Sequence, residues 1–271
     1  MSIFLPNRRS VVLLTRKPVS ALLGYDVDAL AYIAAVEGPF GDNQTLETGV
    51  RTAINDFVVG CKNDGIWSAI KASCILAGAR TLSGALVPLA GTAPTNNNFV
   101  SGDYNRKTGL VGDGSTKYLN SNYAFPTDLQ NNCHLAGFMS AVDTVGAAVG
   151  AYGDAFGNGS LISSRGARLY QDAASTFIPS DTTTTGFRGV SRSSASSYLY
   201  SRAGSNETAN IASSAVTHEA QGVFARRRNT GSYDAFTDAR LAFYSIGESL
   251  DIALLDARVT ALITAFGAAI P

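Results

Sequence analysis

Leu110-Val111-Gly112-Asp113-Gly114-Ser115-Thr116-Lys117-Tyr118-Leu119-Asn120 divides the chain. Before it, apolar residues recur at helical spacing; after it, short alternating runs are broken by Gly, Ser, Asn and Thr. Asp113-Gly114 is a turn signal, because glycine accepts the positive φ that a tight turn demands. Lys117-Tyr118-Leu119-Asn120 then reads as a strand. The stretch is expected to be a hairpin that opens a β-sandwich.

Downstream the apolar period is two. Candidate strands fall at residues 135–142, 146–152, 161–164, 168–171, 185–192, 197–202, 208–211, 222–227 and 239–246. Gly166 and Gly204-Ser205-Asn206 mark turns between neighbours. A spacing of about ten residues with turn signals is what an antiparallel sandwich produces.

Upstream the period is helical. Asp26 can cap a helix over 26–36, with Val27, Leu30, Ile33 and Ala34 on one face. Thr45 can cap a second, with Leu46, Val50, Ile54, Phe57, Val58 and Cys61 as its stripe and Gly65 as its end. Ile66, Trp67 and Ile70 suggest a short helix, Cys74-Ile75-Leu76 a brief strand, and 82–86 a helical turn before Pro88. A last helix follows Ser249, with Ile252, Leu255, Val259, Leu262, Ile263 and Phe266 as its stripe and Gly267 as its stop. An isolated helix of that length is marginal, so it is expected to pack on the helical annex or on a neighbour.

With 271 residues, 45% hydrophobic and 15% charged, the chain can build a core, and global disorder is excluded. The zero net charge argues against a protein built to hold nucleic acid. Charge is nevertheless uneven. Arg8, Arg9, Arg16 and Lys17 precede the first acid, whereas Asp26, Asp28, Glu37, Asp42, Glu47, Asp56 and Asp64 then face only Arg51 and Lys62. The four N-terminal cations read either as a solvated terminus or as an arm that docks on an acidic neighbour, the candidate virion-docking residues of the family likeness below. Cys61, Cys74 and Cys133 show no ligand spacing, so neither a zinc site nor a disulfide framework is expected. Val11-Val12-Leu13-Leu14 is too short for a secretory core, and no run reads as a membrane span. Membrane insertion and export are not expected.

The helix over 46–61 followed by Asn63-Asp64-Gly65-Ile66-Trp67, then Ala85-Leu86-Val87-Pro88-Leu89 and Phe99-Val100-Ser101-Gly102-Asp103-Tyr104, form a pattern. It continues through residues 112–119 and returns at Phe243-Tyr244-Ser245-Ile246-Gly247 and the closing helix. This pattern resembles the concanavalin A-like (laminin G-type) jelly-roll proteins found among structural proteins of tailed bacteriophages. The likeness covers residues 45–269 and consists of fold signatures rather than site signatures. It implies a mainly β, antiparallel jelly-roll sandwich with an N-terminal helical annex and a C-terminal helix. The corresponding divisions are an arm (1–24), the annex (25–98), the sandwich (99–248) and the helix (249–271). It further implies a non-enzymatic homo-oligomer on the virion exterior, made in the host cytoplasm. Such a protein is a capsid decoration or appendage subunit that binds major capsid or tail proteins. The alternative is a carbohydrate-binding lectin at a tail-fibre tip, facing a host surface glycan.

Chemistry is sparse. Jelly-roll glycan hydrolases place Glu-x-Asp-x-x-Glu on one strand, where alternation brings the carboxylates to one face. None of Glu37, Glu47, Glu207, Glu219 and Glu248 begins that pattern. His134 adjoins Cys133, but adjacent strand residues point to opposite faces, and His218 falls in a loop. No catalytic residue and no resident cofactor are assigned. Asp154-Ala155-Phe156-Gly157-Asn158-Gly159 has a calcium-loop beginning, yet Arg165 stands where a bidentate acid belongs. Calcium on scattered loop oxygens stays open. Arg226-Arg227-Arg228 reads as an edge-strand charge guard or an inter-subunit ion pair. Tyr198 and Tyr200 share a strand face and read as sugar-stacking, interface or core aromatics.

Overall fold

The structure, a computed structural model, describes residues 24–39, 42–144, 146–152, 159–163, 166–171, 178–179, 184–214 and 219–271. Arg8, Arg9, Arg16, Lys17, the expected strand at 10–15, most of the calcium-like loop and His218 lie outside the described residues.

Two sheets form a sandwich. Sheet one runs Ser205–Ala209, Tyr198–Arg202, Gly186–Arg192, Cys133–Ala141, Arg240–Gly247, Ile70–Ile75, Pro88–Ala90, with Gly109–Val111 also pairing to Arg240–Gly247. Sheet two runs Ile178–Pro179, Gly166–Gln171, Gly159–Ser163, Val149–Tyr152, Ala220–Val223, Tyr118–Ala124, Thr95–Asn97. Pairing is antiparallel except where Arg226–Arg228 runs parallel to Val149–Tyr152. The mainly β sandwich with flanking helices is therefore the architecture of this chain.

Helices α1 (Val27–Glu37), α2 (Thr48–Asn63), the short α3 (Leu82–Ala85) and α4 (Ile252–Ala269) complete the chain. Leu135, Met139, Leu241, Tyr244 and Ile246 point between the sheets, while Ala136, Ala242, Phe243 and Phe187 join the core under the helices. Sheet one is thus covered on both faces. This explains why Arg240–Gly247 is a continuous buried run rather than an alternating one. A bulge at Ala242 turns two successive side chains, Ala242 and Phe243, toward the helices, where Phe243 meets Phe57 of α2 edge-on at 5.8 Å.

Several expectations are corrected in detail. The stretch at residues 110–120 is a turn, with Gly114 at φ 72°, but not a hairpin. Gly109–Val111 belongs to sheet one and Tyr118–Ala124 to sheet two, so the turn carries the chain from one layer to the other. Residues 25–98 contribute helices to the outer layer, Ile70–Ile75 and Pro88–Ala90 to sheet one, and Thr95–Asn97 to sheet two. On α1 the buried face is Ala29, Tyr32, Ile33 and Val36, while Val27 is 72% exposed. Asp251, not Ser249, caps α4 by accepting from the N–H groups of Ala253 and Leu254, and the helix runs through Gly267. By length and composition α4 is apolar enough to cross a bilayer, contrary to the reading above, but its stripe is buried against α2 and sheet one.

Candidate functional site

The best-formed concavity follows from how α1 meets the free edge of sheet one. Asp28, Ala31, Tyr32 and Ala35 recur at helical spacing along one wall. Residues of the turn and strand from Leu86 to Ala90 make the facing wall, and Trp67 also lines the hollow. The groove holds about 790 Å³. Pro88–Ala90 is the terminal strand of its sheet, so an open edge runs beside an apolar trough.

Asp28 is the groove's charged lining residue, and it is already engaged. Its carboxylate accepts from the Trp67 indole N–H at 3.1 Å and pairs with Lys62 at 2.7 Å. Lys62 also binds Asp26 at 2.6 Å, and those two carboxylates hold its ammonium pKa above the ordinary value. Two acids therefore share one lysine, which leaves this end of the groove with a net negative charge. The other acids of the same segment are also tied within the chain: Glu37 to Arg51 at 2.7 Å, Glu47 to Arg80 and Arg106 at 2.8 and 2.6 Å, and Asp64 to Arg258 at 2.6 Å. The acidic excess read from residues 26–64 is thus mostly internal wiring.

A second hollow of about 930 Å³ lies between α4 and the turn joining Tyr198–Arg202 to Ser205–Ala209. Its acid, Asp256, is 4% exposed. One oxygen accepts from the Ser201 hydroxyl at 2.9 Å and the Gly204 N–H at 2.8 Å, and the other from the Thr260 hydroxyl at 3.0 Å. That carboxylate ties the turn to the helix.

Sequence reasoning passed over one arrangement with the outward form of a catalytic pair. The Ser245 hydroxyl lies 2.8 Å from Nε2 of His134, whose Nδ1 lies 2.5 Å from the Glu248 carbonyl. A carbonyl only accepts, so Nδ1 carries the proton and Nε2 accepts from serine. Burial lowers the imidazole pKa to about 4. Both residues are 0% exposed, so no substrate reaches them from solvent. The pair pins the chain where it leaves sheet one for α4. Cys133 points the other way, into the core between the sheets, and burial raises its thiol pKa far above the ordinary value. Cys61 and Cys74 are likewise buried free thiols, each pushed up to about 12 by burial.

No protein-family model matches this chain. No curated protein matches it either. Among solved structures, an HCR/D mutant superposes with a TM-score of 0.42 at 10% identity, over 71% of this chain and 51% of that one. A Trypanosoma rangeli sialidase mutant displaying trans-sialidase activity gives 0.41 at 10% identity, over 78% of this chain and 39% of that one. The Trypanosoma rangeli sialidase in complex with 2,3-difluorosialic acid gives 0.39 at 11% identity, over 79% and 39%. The chain spans about half or less of each. Likenesses this distant assign it no activity.

The tyrosines singled out from the sequence are core residues. Tyr198 and Tyr200 are 2% and 1% exposed, so neither ring face is open to a sugar or a second subunit. The Arg192 guanidinium lies 4.9 Å from the Tyr198 ring, and its Nη1 donates to the carbonyls of Ser194, Ser197 and Ile211. The triple-arginine strand is neutralised within the chain. Arg226 pairs with Asp234 at 2.8 Å, Arg227 with Glu219 at 2.9 Å, and Arg228 with Asp234 at 3.5 Å. It lies between Val149–Tyr152 and Tyr233–Asp234, so it is not an edge. Among the described residues, no group of three His, Cys, Asp or Glu side chains could hold a metal ion.

Proposed function

We propose that this protein is a non-enzymatic virion structural protein, an exterior decoration or appendage subunit that binds other virion proteins. The phage setting comes from the sequence resemblance. The observation that supports a binding role is the groove between α1 and the free edge at Pro88–Ala90. It is apolar and elongated, and its single lining carboxylate is committed to Lys62 and Trp67. Such a trough suits an extended apolar polypeptide, which can bury alternate side chains against it and run beside the sheet edge.

The test is association with particles. The protein should co-sediment with intact virions at a fixed ratio to one structural protein. Ala31→Arg, which places a guanidinium in the groove from an exposed position of α1, should lower that association at least about tenfold, a loss of ~1.4 kcal/mol. Unchanged association of a folded Ala31→Arg protein would sink the reading. Binding to a glycan array without particle association would favour the lectin instead.

A further inference from the structure

The groove and the N-terminal segment fit each other, and we propose that residues 10–15 of the same chain, Ser-Val-Val-Leu-Leu-Thr, occupy the groove in the free protein. The described chain begins at Gly24, two residues before the Asp26 cap of α1. The groove wall on that helix starts at Asp28, so the segment enters beside its seat. Residue 14 precedes Gly24 by ten residues, a reach of roughly 33 Å when extended, whereas the eleven residues of α1 span only about 16 Å. The tether therefore suffices for the apolar run to fold back along the whole groove.

Composition and charge agree. Val11, Val12, Leu13 and Leu14 are the four-residue apolar run of the N-terminal segment, and the β-branched pair favours extension. Arg16 and Lys17 follow directly, toward the groove end where Asp26 and Asp28 share Lys62. The occupant covers the apolar trough beside Pro88–Ala90, an edge that otherwise invites pairing with another chain. A tethered segment also acts at an effective concentration in the millimolar range, which favours the intramolecular seat over a second copy.

Trp67 is the chain's only tryptophan, so its fluorescence reports the groove. In the full chain, Val12→Asp/Leu14→Asp should shift Trp67 emission to longer wavelength and raise acrylamide quenching at least twofold. Tryptic cleavage at Arg9 and Arg16 should accelerate at least tenfold in the same variant. Asn7→Asp, outside the apolar run, should change neither signal. Ala31→Arg should release the segment to trypsin in the same way while leaving circular dichroism intact. Equal emission, quenching and cleavage in wild type and the double variant would overturn the proposal. So would a Trp67 shift that appears only on dilution of a dimer, because the segment would then come from a second copy. The inference rests on the groove being a polypeptide seat, not on the virion assignment. Failure to bind particles with the Trp67 response intact would reject that assignment alone.

Discussion

Asp256 shows how much a single buried acceptor organises. It receives three hydrogen bonds, two of them from the hairpin Tyr198–Arg202/Ser205–Ala209 that α4 covers. Asp256→Ala strands those donors in a buried site and should cost about 1–3 kcal/mol, read from the urea midpoint. His134 makes a pH-dependent prediction. Its pKa is near 4 in the folded protein against 6.5 when unperturbed. Between those values the unfolded chain binds the proton and the folded chain does not. Stability from this group is therefore complete above about pH 6.5, falls as the pH drops, and is spent near pH 4, with a total of roughly 3 kcal/mol. His134→Gln should flatten that part of the stability profile; an unchanged slope between pH 6.5 and 4.5 would contradict the burial-driven shift. Asp113 governs the layer-crossing turn. Partial burial works against its charge, but the Thr116 hydroxyl and the N–H groups of Thr116, Lys117 and Ser115 outweigh it, and the carboxyl is held far below the usual range. Gly114→Val forces a β-branched residue to φ 72° and should destabilise the fold by about 1–3 kcal/mol without changing any binding measured on folded protein.

At the scale of elements, α2 is fastened at both ends and along its face. Glu47, its N-cap residue, bridges Arg80 and Arg106, and the hydrogen bond from Arg106 lowers its pKa to about 2 against the cost of partial burial. A Cβ built on Gly49 would stand 2.7 Å from the Ala269 Cβ, so the absence of a side chain lets α2 and α4 touch. Gly49→Val should push α4 outward and cost about 1–3 kcal/mol in thermal or urea melts. Legibility in the sequence followed burial. Strands with one face on the core, such as Tyr198–Arg202, alternate and were readable. Ile70–Ile75 is covered by helices on one side and by sheet two on the other, so its apolar run carried no period; only a brief strand at residues 74–76 was legible. The 110–120 turn announced itself through Asp113-Gly114, yet which layer each flanking strand joins depends on long-range pairing with Arg240–Gly247 and Thr95–Asn97. The groove was invisible for a related reason: its walls are residues of α1 and of the 86–90 stretch, which only tertiary packing makes neighbours. Tyr198 and Tyr200 were misplaced as sugar platforms because period-two spacing identifies a shared face but not which layer that face meets.

At the scale of the whole molecule, three layers leave one exposed consequence. The helices close one face of sheet one, sheet two closes the other, and the trough remains where the helical layer stops short of the edge at Pro88–Ala90. If the chain's own residues 10–15 fill that trough, a partner must displace them before it can dock. The apparent affinity for the partner is then the intrinsic affinity multiplied by the fraction of molecules whose groove is free. A tether that keeps the groove filled in about 99% of molecules weakens apparent docking roughly a hundredfold. Val12→Asp/Leu14→Asp removes the competitor and leaves every groove-lining residue in place. It should therefore co-sediment with particles at protein concentrations at least about tenfold lower than wild type, whereas Ala31→Arg should do the opposite. Displacement also frees Arg8, Arg9, Arg16 and Lys17 together, so the wild-type protein alone should gain a salt-sensitive second contact once docked. Raising ionic strength should weaken wild-type association more than that of a Val12→Asp/Leu14→Asp protein carrying four additional neutralising substitutions at those cations. Equal affinities of wild type and double variant for the particle would mean that the segment and the partner do not compete for one seat.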